Sequence, residues 1–318
     1  MKITEHFNLN LTQEQLEFVD VDTERDAKLF IDPCWIHIKE GNWFREASAT
    51  LYGFFDHIIR LYEENRREEA RELFNCAHEP NETCFGMSRN NPRGTGASEE
   101  MLAEVFDYII SQQMIEIGLI KRLEDLHVFI DNFGPDRLSD LVTNVIRKHL
   151  VQFTKEQCEL HGIPLGNERI DIGPYWNNES KTWEICNDFP LLANDKLILL
   201  VPKDITVKVY RYSPGQYCTH YVLVKRQVEH KEQDTHLVTR IPRKDDTFRI
   251  EVFKRDIIQE EIKDAGKNQK QYVREITVED VDLIEQFREG IINTLTSPKR
   301  TNKLSDEMLT DMIRRAAN

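Results

Sequence analysis

The stretch FIDNFGPDRLSDLVTN, Phe129 to Asn144, decides how the fold is read, because Asp131, Asp136 and Asp140 crowd the place where an apolar run gives way to a helix. Upstream, Leu126 to Ile130 is short and apolar and reads as a strand. Gly134 and Pro135 then break the chain, and either Asp136 or Ser139 can cap the following helix by accepting its free N–H groups. Capping and the helix macrodipole account for one or two of these carboxylates, at about 1 kcal/mol or less each. The remaining acid is then available for other work.

Outward from this stretch, Leu141, Val142, Val145, Ile146, Leu150 and Phe153 keep helical spacing up to Gly162, with Pro164 just beyond. RIDIGPYW, KTWEICN and KLILLVPK follow as strands, the last so apolar that a central place in a sheet is expected. Toward the N-terminus, LEFVDVDTERDAKLFIDPCWIHI alternates in two runs, which predicts a hairpin or two edge strands limited by Pro33. Trp43 to Phe74 predicts one long helix or two, and Ser98 caps a helix expected to reach about Leu123. Between these helices, CAHEPNETCFGMSRNNPRGTGAS is too rich in Pro, Gly and Asn to be anything but a long loop. Beyond Lys203, TVKVYRY reads as a strand, YCTHYVLVKRQVEH as strand or helix, and the tail from Asp280 as helix. The expected class is α+β: a central mixed sheet with flanking helices and a helical N-terminal portion. Three parts are expected: 1–125, acidic, a strand pair plus helices; 126–210, a strand–helix–strand unit; and 211–318, mixed and ending in helices.

At 318 residues, with 40% hydrophobic and 31% charged side chains, the chain has the composition of a water-facing globular protein able to bury a sizeable core. No apolar run approaches the roughly 18 residues of a membrane span, and MKITEHFNLN has no apolar core behind its lysine, so a cytoplasmic protein without membrane association is expected. Its six cysteines form no close-set framework and are expected as buried thiols. A net charge of −14 opposes indiscriminate binding to polyanions, yet Lys203 to Arg255 is locally basic and offers a face for nucleic acid inside an acidic protein. The acidic helices, in turn, suit a protein partner.

Two or three acids near a helix start can hold a hard divalent cation such as Mg²⁺, which activates water and neutralises a phosphate. Asp136 and Asp140 are the candidate metal acids, with Glu82 a further acid from HEPNETCFG. In SRNNPRGTGAS, Gly94 and Gly96 permit close backbone approach, and Arg89 and Arg93 are candidate phosphate partners. No Gly-Lys-Ser/Thr follows, so this is not a P-loop. The order helix, strand, acids, helix, strand, lysine resembles the PD-(D/E)XK nuclease superfamily over the middle third of the chain, and the resemblance makes Lys203, in LILLVPKD, the lysine beside the nucleophile. That resemblance implies a metal-dependent nuclease or phosphodiesterase, a class employed in defence against foreign nucleic acid. The family places its second acid two residues before the lysine, where this sequence has Val201; the literal ESK at Glu179 to Lys181 sits in an apparent turn.

Three other chemistries need weighing. Cys76, His78, Cys84 and the pair Cys158/His161 are soft ligands at short spacings, which allows zinc, although a capping histidine beside a buried thiol is the commoner outcome. Cys84 near His78 suggests a nucleophile, but no sequence feature lowers its pKa. Tyr210, Tyr212, Tyr217 and Tyr221 can stack on bases or simply pack a core. The enzyme reading therefore stands against a second one, a non-catalytic binding or assembly protein in which the aspartates serve as caps.

Overall fold

Alternation at the start of the chain yields less strand than it predicts: a single helical turn, Ile3–His6 (α1), and a two-residue strand, Phe30–Ile31 (β1). Pro33 does more than end that strand. It opens helix Pro33–Ile38 (α2), where its missing N–H is harmless, and the Asp32 carboxylate caps the turn by accepting from the Cys34 N–H at 2.9 Å. The computed structural model describes residues 1–74, 80–86, 99–297 and 303–317. The next helices are Asn42–Glu63 (α3), Arg67–Glu72 (α4) and Glu99–Ser111 (α5), and α3 buries Leu51, Phe54, Phe55, Ile58 and Leu61 along one face, as their spacing predicts.

The run expected as a strand before the aspartates is a helix, Leu123–Phe129 (α6). All seven of its residues are buried, so it lacks the polar face that would betray a helical period, and a short apolar run of this kind is ambiguous in sequence. The long helix expected after it is two, Pro135–Val145 (α7) and Arg147–His161 (α8), because Ile146 leaves helical geometry at φ −94°, ψ 12°.

Strands Ile170–Asn177 (β2) and Thr182–Asp188 (β3) form the expected hairpin; Leu191–Ala193 (β4), Lys196–Ile198 (β5) and Thr206–Val207 (β6) are short. A continuous helical stretch follows: Pro214–Tyr217 (α9), a π-helical turn at Cys218–Val222, and Leu223–Glu232 (α10). Then come the hairpin of Thr239–Pro242 (β7) and Phe248–Glu251 (β8), helix Lys254–Ile257 (α11) running into a π-helical Ile258–Asp264, and helices Gln269–Glu279 (α12), Asp282–Leu295 (α13) and Asp306–Ala317 (α14).

The fold is α+β, but its described strands pair two by two, all antiparallel, as β1–β6, β2–β3, β4–β5 and β7–β8, and the expected central mixed sheet is not among them. KLILLVPK shows why. Past β5 the buried Leu199, Leu200 and Val201 meet groups outside any strand: Leu199 N–H donates to the carbonyl of Glu82 in the 3-10 turn Asn81–Thr83 (2.8 Å), Leu200 N–H to Thr154 Oγ1 on α8 (2.9 Å), and the Val201 carbonyl accepts from Val19 N–H (3.1 Å). A turn, a helix side chain and an extended segment satisfy the buried backbone that a sheet was expected to satisfy.

The chain divides into two units. The first joins 1–110, 134–210 and 297–318; its core includes Phe54 packed edge-on against Trp176 and Trp183, and Phe106 stacked on Phe74 and Tyr62. The second joins 111–133 and 211–296, with Phe287 among Tyr212, Tyr217 and Tyr221. At its centre the Arg288 guanidinium pairs with Asp125 at 2.6 Å, both at or below 2% exposure, and Asp125 also accepts from the Lys121 and Arg122 N–H groups that open α6. The stretch at Phe129–Asn144 thus crosses from one unit into the other at Phe133–Gly134. No described helix is long and apolar enough to cross a membrane.

Candidate functional site

The three aspartates of that stretch part company. Asp131 belongs to the second unit, where it takes the Arg274 guanidinium at 2.9 Å. Asp136 and Asp140 lie on α7 in the first. Capping is not what they do there: Gly134 occupies the N-cap with Pro135 after it, and no side chain bonds the cap. Asp136 sits in the first turn, half-buried, its carboxyl raised by burial against the opposing charge of Arg137. Ser139 accepts the Ile31 N–H at 3.0 Å, holding β1 against α7.

From Ser139 onward one face of α7 and the start of α8 is both polar and buried: Ser139, Asp140, Thr143, Asn144 and Arg147, none above 9% exposure. Spacings of three and four put them on neighbouring turns. At the N-terminal end of this seam stands Tyr210, fully buried, whose hydroxyl donates to the Ile31 carbonyl at 2.8 Å. Its phenol is held well above the ordinary range, first by burial and then by the carboxylates of Asp32 and Asp140. Asp32 is the residue that sequence reasoning missed; its only visible signal, the Asp-Pro pair at a helix start, reads as a cap.

Arg147 terminates the seam. Its guanidinium forms an ion pair with Glu82 and donates to Asn144 Oδ1 (2.5 Å) and to the carbonyls of Pro174 (2.9 Å) and Ile172 (3.3 Å). Gly173, at φ +117°, makes room for it, since a Cβ there would stand 3.1 Å from the guanidinium. Glu82 is therefore tied to α8 and the β2–β3 hairpin.

Lys203 is engaged elsewhere in the same unit, by Asp306 at 3.2 Å and the Glu14 carbonyl at 3.4 Å. Of the residues singled out in the sequence, then, Asp140 stands in the buried seam of α7, Glu82 meets Arg147, and Lys203 meets Asp306. Arg89 and Arg93 lie outside the described residues, as do Cys76 and His78. Among the described residues no group of three or more His, Cys, Asp or Glu side chains is placed to hold a metal ion. Burial pushes the thiols of Cys84 and Cys158 up to about 12, which keeps them protonated and poorly nucleophilic. Tyr210, Tyr212 and Tyr217 are core residues at 3% exposure or less and offer no stacking platform.

The basic stretch is largely self-neutralised within the second unit. Lys225 pairs with Glu229 (2.8 Å) and Asp280 (3.1 Å), Arg226 with Glu261 (2.6 Å), and Arg255 with Asp256 (3.3 Å). In the first unit, a cavity of about 480 Å³ beside α8, β2 and β3 is likewise balanced: Lys148 donates to the Tyr175 hydroxyl (3.1 Å), whose proton goes to Glu184 (2.7 Å), and Asp188 is held by Lys155 (2.8 Å).

The β7–β8 hairpin differs from all of this. Every residue from Thr239 to Ile250 is exposed, including Ile241 (36%), Phe248 (58%) and Ile250 (48%), and no other described strand pairs with it. Its cross-strand neighbours Arg240/Ile250 and Pro242/Phe248 share one face, Thr239/Glu251 and Ile241/Arg249 the other.

Comparison with known proteins gives one match: the family model described as a domain of unknown function (DUF8370) covers residues 8–213. No curated protein and no solved structure matches the chain.

Proposed function

The chain belongs to the DUF8370 family, whose description carries no activity, and from the geometry we propose that it is a non-catalytic binding or assembly protein that meets another polypeptide through the β7–β8 hairpin. The observation that carries this reading is the hairpin itself. A lone two-stranded sheet is marginally stable in water, and an exposed strand edge with apolar side chains is a template for strand addition. Phe and Arg on one small face are also residue types that anchor protein interfaces. The commitment of Glu82 to Arg147 and of Lys203 to Asp306 supports the same conclusion, because each is occupied by an ion pair where the enzyme reading needs Glu82 as a further acid of the site and Lys203 beside the nucleophile.

A photo-crosslinking side chain at position 248 tests the proposal in cells that express the full chain. An adduct of higher mass containing a second polypeptide is expected. Absence of any adduct at 248, with adducts equally absent at 241 and 250, would remove the hairpin as an assembly surface.

One observation favours a second reading, a Mg²⁺-dependent nuclease or phosphodiesterase: Asp32 and Asp140 are both buried, and the charge of each acts on the Tyr210 phenol. Two buried carboxylates of like charge are a setting in which a divalent cation is stabilising. In this form the enzyme keeps Asp140, with Asp136 one turn earlier on the same helix, and gives up Glu82 and Lys203 as reacting groups. Purified protein would then cleave nucleic acid only with Mg²⁺ present, and Asp140→Asn would lower that rate at least about a hundredfold while leaving the fold intact. Equal activity in wild type and variant, or none in either, sinks it.

A further inference from the structure

We infer that the occupant of the hairpin is a second copy of this chain, added edge to edge through β8 about a two-fold axis at Ile250. The inference rests on reading the hairpin as an assembly surface and names the partner. Of the two outer edges only one suits strand addition. β7 contains Pro242, which has no N–H to give to a ladder, whereas Phe248 to Glu251 contains no proline; the edge ends there, since Val252 is buried and its carbonyl accepts from Gln227 Nε2.

The hydrogen-bond pattern limits the register. Arg243 N–H donates to the Thr247 carbonyl at 2.8 Å, and by alternation along an antiparallel pair the backbone groups of Arg249 and Glu251 also face β7. Those of Phe248 and Ile250 therefore face outward. A two-fold ladder must pair outward residues with outward residues, which leaves four neighbouring registers about Phe248 and Ile250. One sets Arg249 opposite its own copy, another sets Glu251 opposite its own copy, and a third, with Phe248 on the axis, sets Glu251 opposite Asp245 of the other copy, all like-charge contacts that destabilise a sheet. The remaining register places Ile250 against Ile250 on the axis and each Arg249 opposite Glu251 of the other copy.

In that register Arg249 and Glu251 form the non-hydrogen-bonded kind of pair, where side chains come closest. Within one chain these two already form an ion pair along the strand edge, so the same charges exchange partners on association. The Arg240, Pro242, Phe248 and Ile250 faces of both copies merge into one apolar surface on a four-stranded sheet. Isologous pairing of this type closes at a dimer. A four-residue strand gives a contact below the roughly 1,200 Å² of stable complexes, so the dimer is a reversible one.

Sedimentation equilibrium of the full chain across the widest accessible concentration range reads the outcome. Wild type is expected to dimerise reversibly. Arg249→Glu and Glu251→Arg alone each place like charges opposite one another at two symmetric positions and should weaken the dimer at least about tenfold. The double variant R249E/E251R restores opposite charges and should return the dissociation constant to near the wild-type value. Both positions are at the surface, and melting curves establish that the variants fold. A chain that stays monomeric at every concentration, or a dimer that ignores the single reversals, overturns the inference. If the crosslinker at position 248 then captures a different polypeptide, the assembly reading survives with another occupant; if it captures nothing, both fail.

Discussion

Arg147 shows how one side chain can decide the meaning of others. It is 2% exposed and spends its guanidinium on Glu82, Asn144 and two carbonyls of β2, so three separate segments depend on a single buried cation. Removing one member of a buried pair leaves the other charge uncompensated and typically costs about 3 to 5 kcal/mol. Arg147→Met is therefore expected to lower Tm by roughly 10 °C, while Glu82→Gln, at a position that retains some solvent contact, should cost less. Thermal denaturation followed by circular dichroism checks the order. A Glu82 variant with unchanged stability would mean that this carboxylate is not the structural partner described above. Glu82 was legible in the sequence as an acid in a loop. Its partner was not, because Arg147 is one arginine among many, 65 residues away.

At the scale of elements, α6 carries the lesson of the quoted stretch. Its seven residues are buried all round, and His127 among them accepts that environment only as the neutral ring. Burial, with the Lys270 ammonium adding to it, lowers the His127 pKa from 6.5 to about 4. Between those values the unfolded ring takes up a proton and the folded ring does not, so stability is fully present above pH 6.5 and is lost as the pH falls toward 4. The loss from this group is about 3 kcal/mol at most. Replacing His127 by Gln should flatten that part of the Tm-against-pH curve, at the expense of some stability at neutral pH. A curve with the same slope in both proteins would assign the acid sensitivity to other groups. A strand reading of Leu126 to Ile130 gives no reason for any of this, since it leaves His127 on an edge.

Across the whole molecule, the units are assembled from segments far apart in the chain. A consecutive division into 1–125, 126–210 and 211–318 has no way to represent a unit built from 111–133 and 211–296. The ion pair of Asp125 with Arg288, which closes the second unit, spans 163 positions, and no local pattern announces it. The hairpin, by contrast, is a local structure whose turn and alternation lie within TRIPRKDDTFRIE, although no hairpin was expected there. What that sequence does not reveal is that the rest of the fold leaves it uncovered, and this exposure, rather than the hairpin's existence, motivates both the crosslinking and the charge-swap experiments.

By itself, the amino-acid sequence determined what acts over a few residues: the amphipathic faces of α3 and α8, the break at Gly134–Pro135, the β2–β3 hairpin and an α+β composition. Periodicity and turn chemistry are short-range effects, so one segment suffices to read them. Tertiary structure alone decided which acid meets which cation, that Glu82 goes to Arg147 and Lys203 to Asp306, and that the apolar run after β5 is met by groups outside any sheet. Charges and buried backbone groups are satisfied by whatever folding brings within a few ångströms, and that neighbourhood is a property of the folded chain.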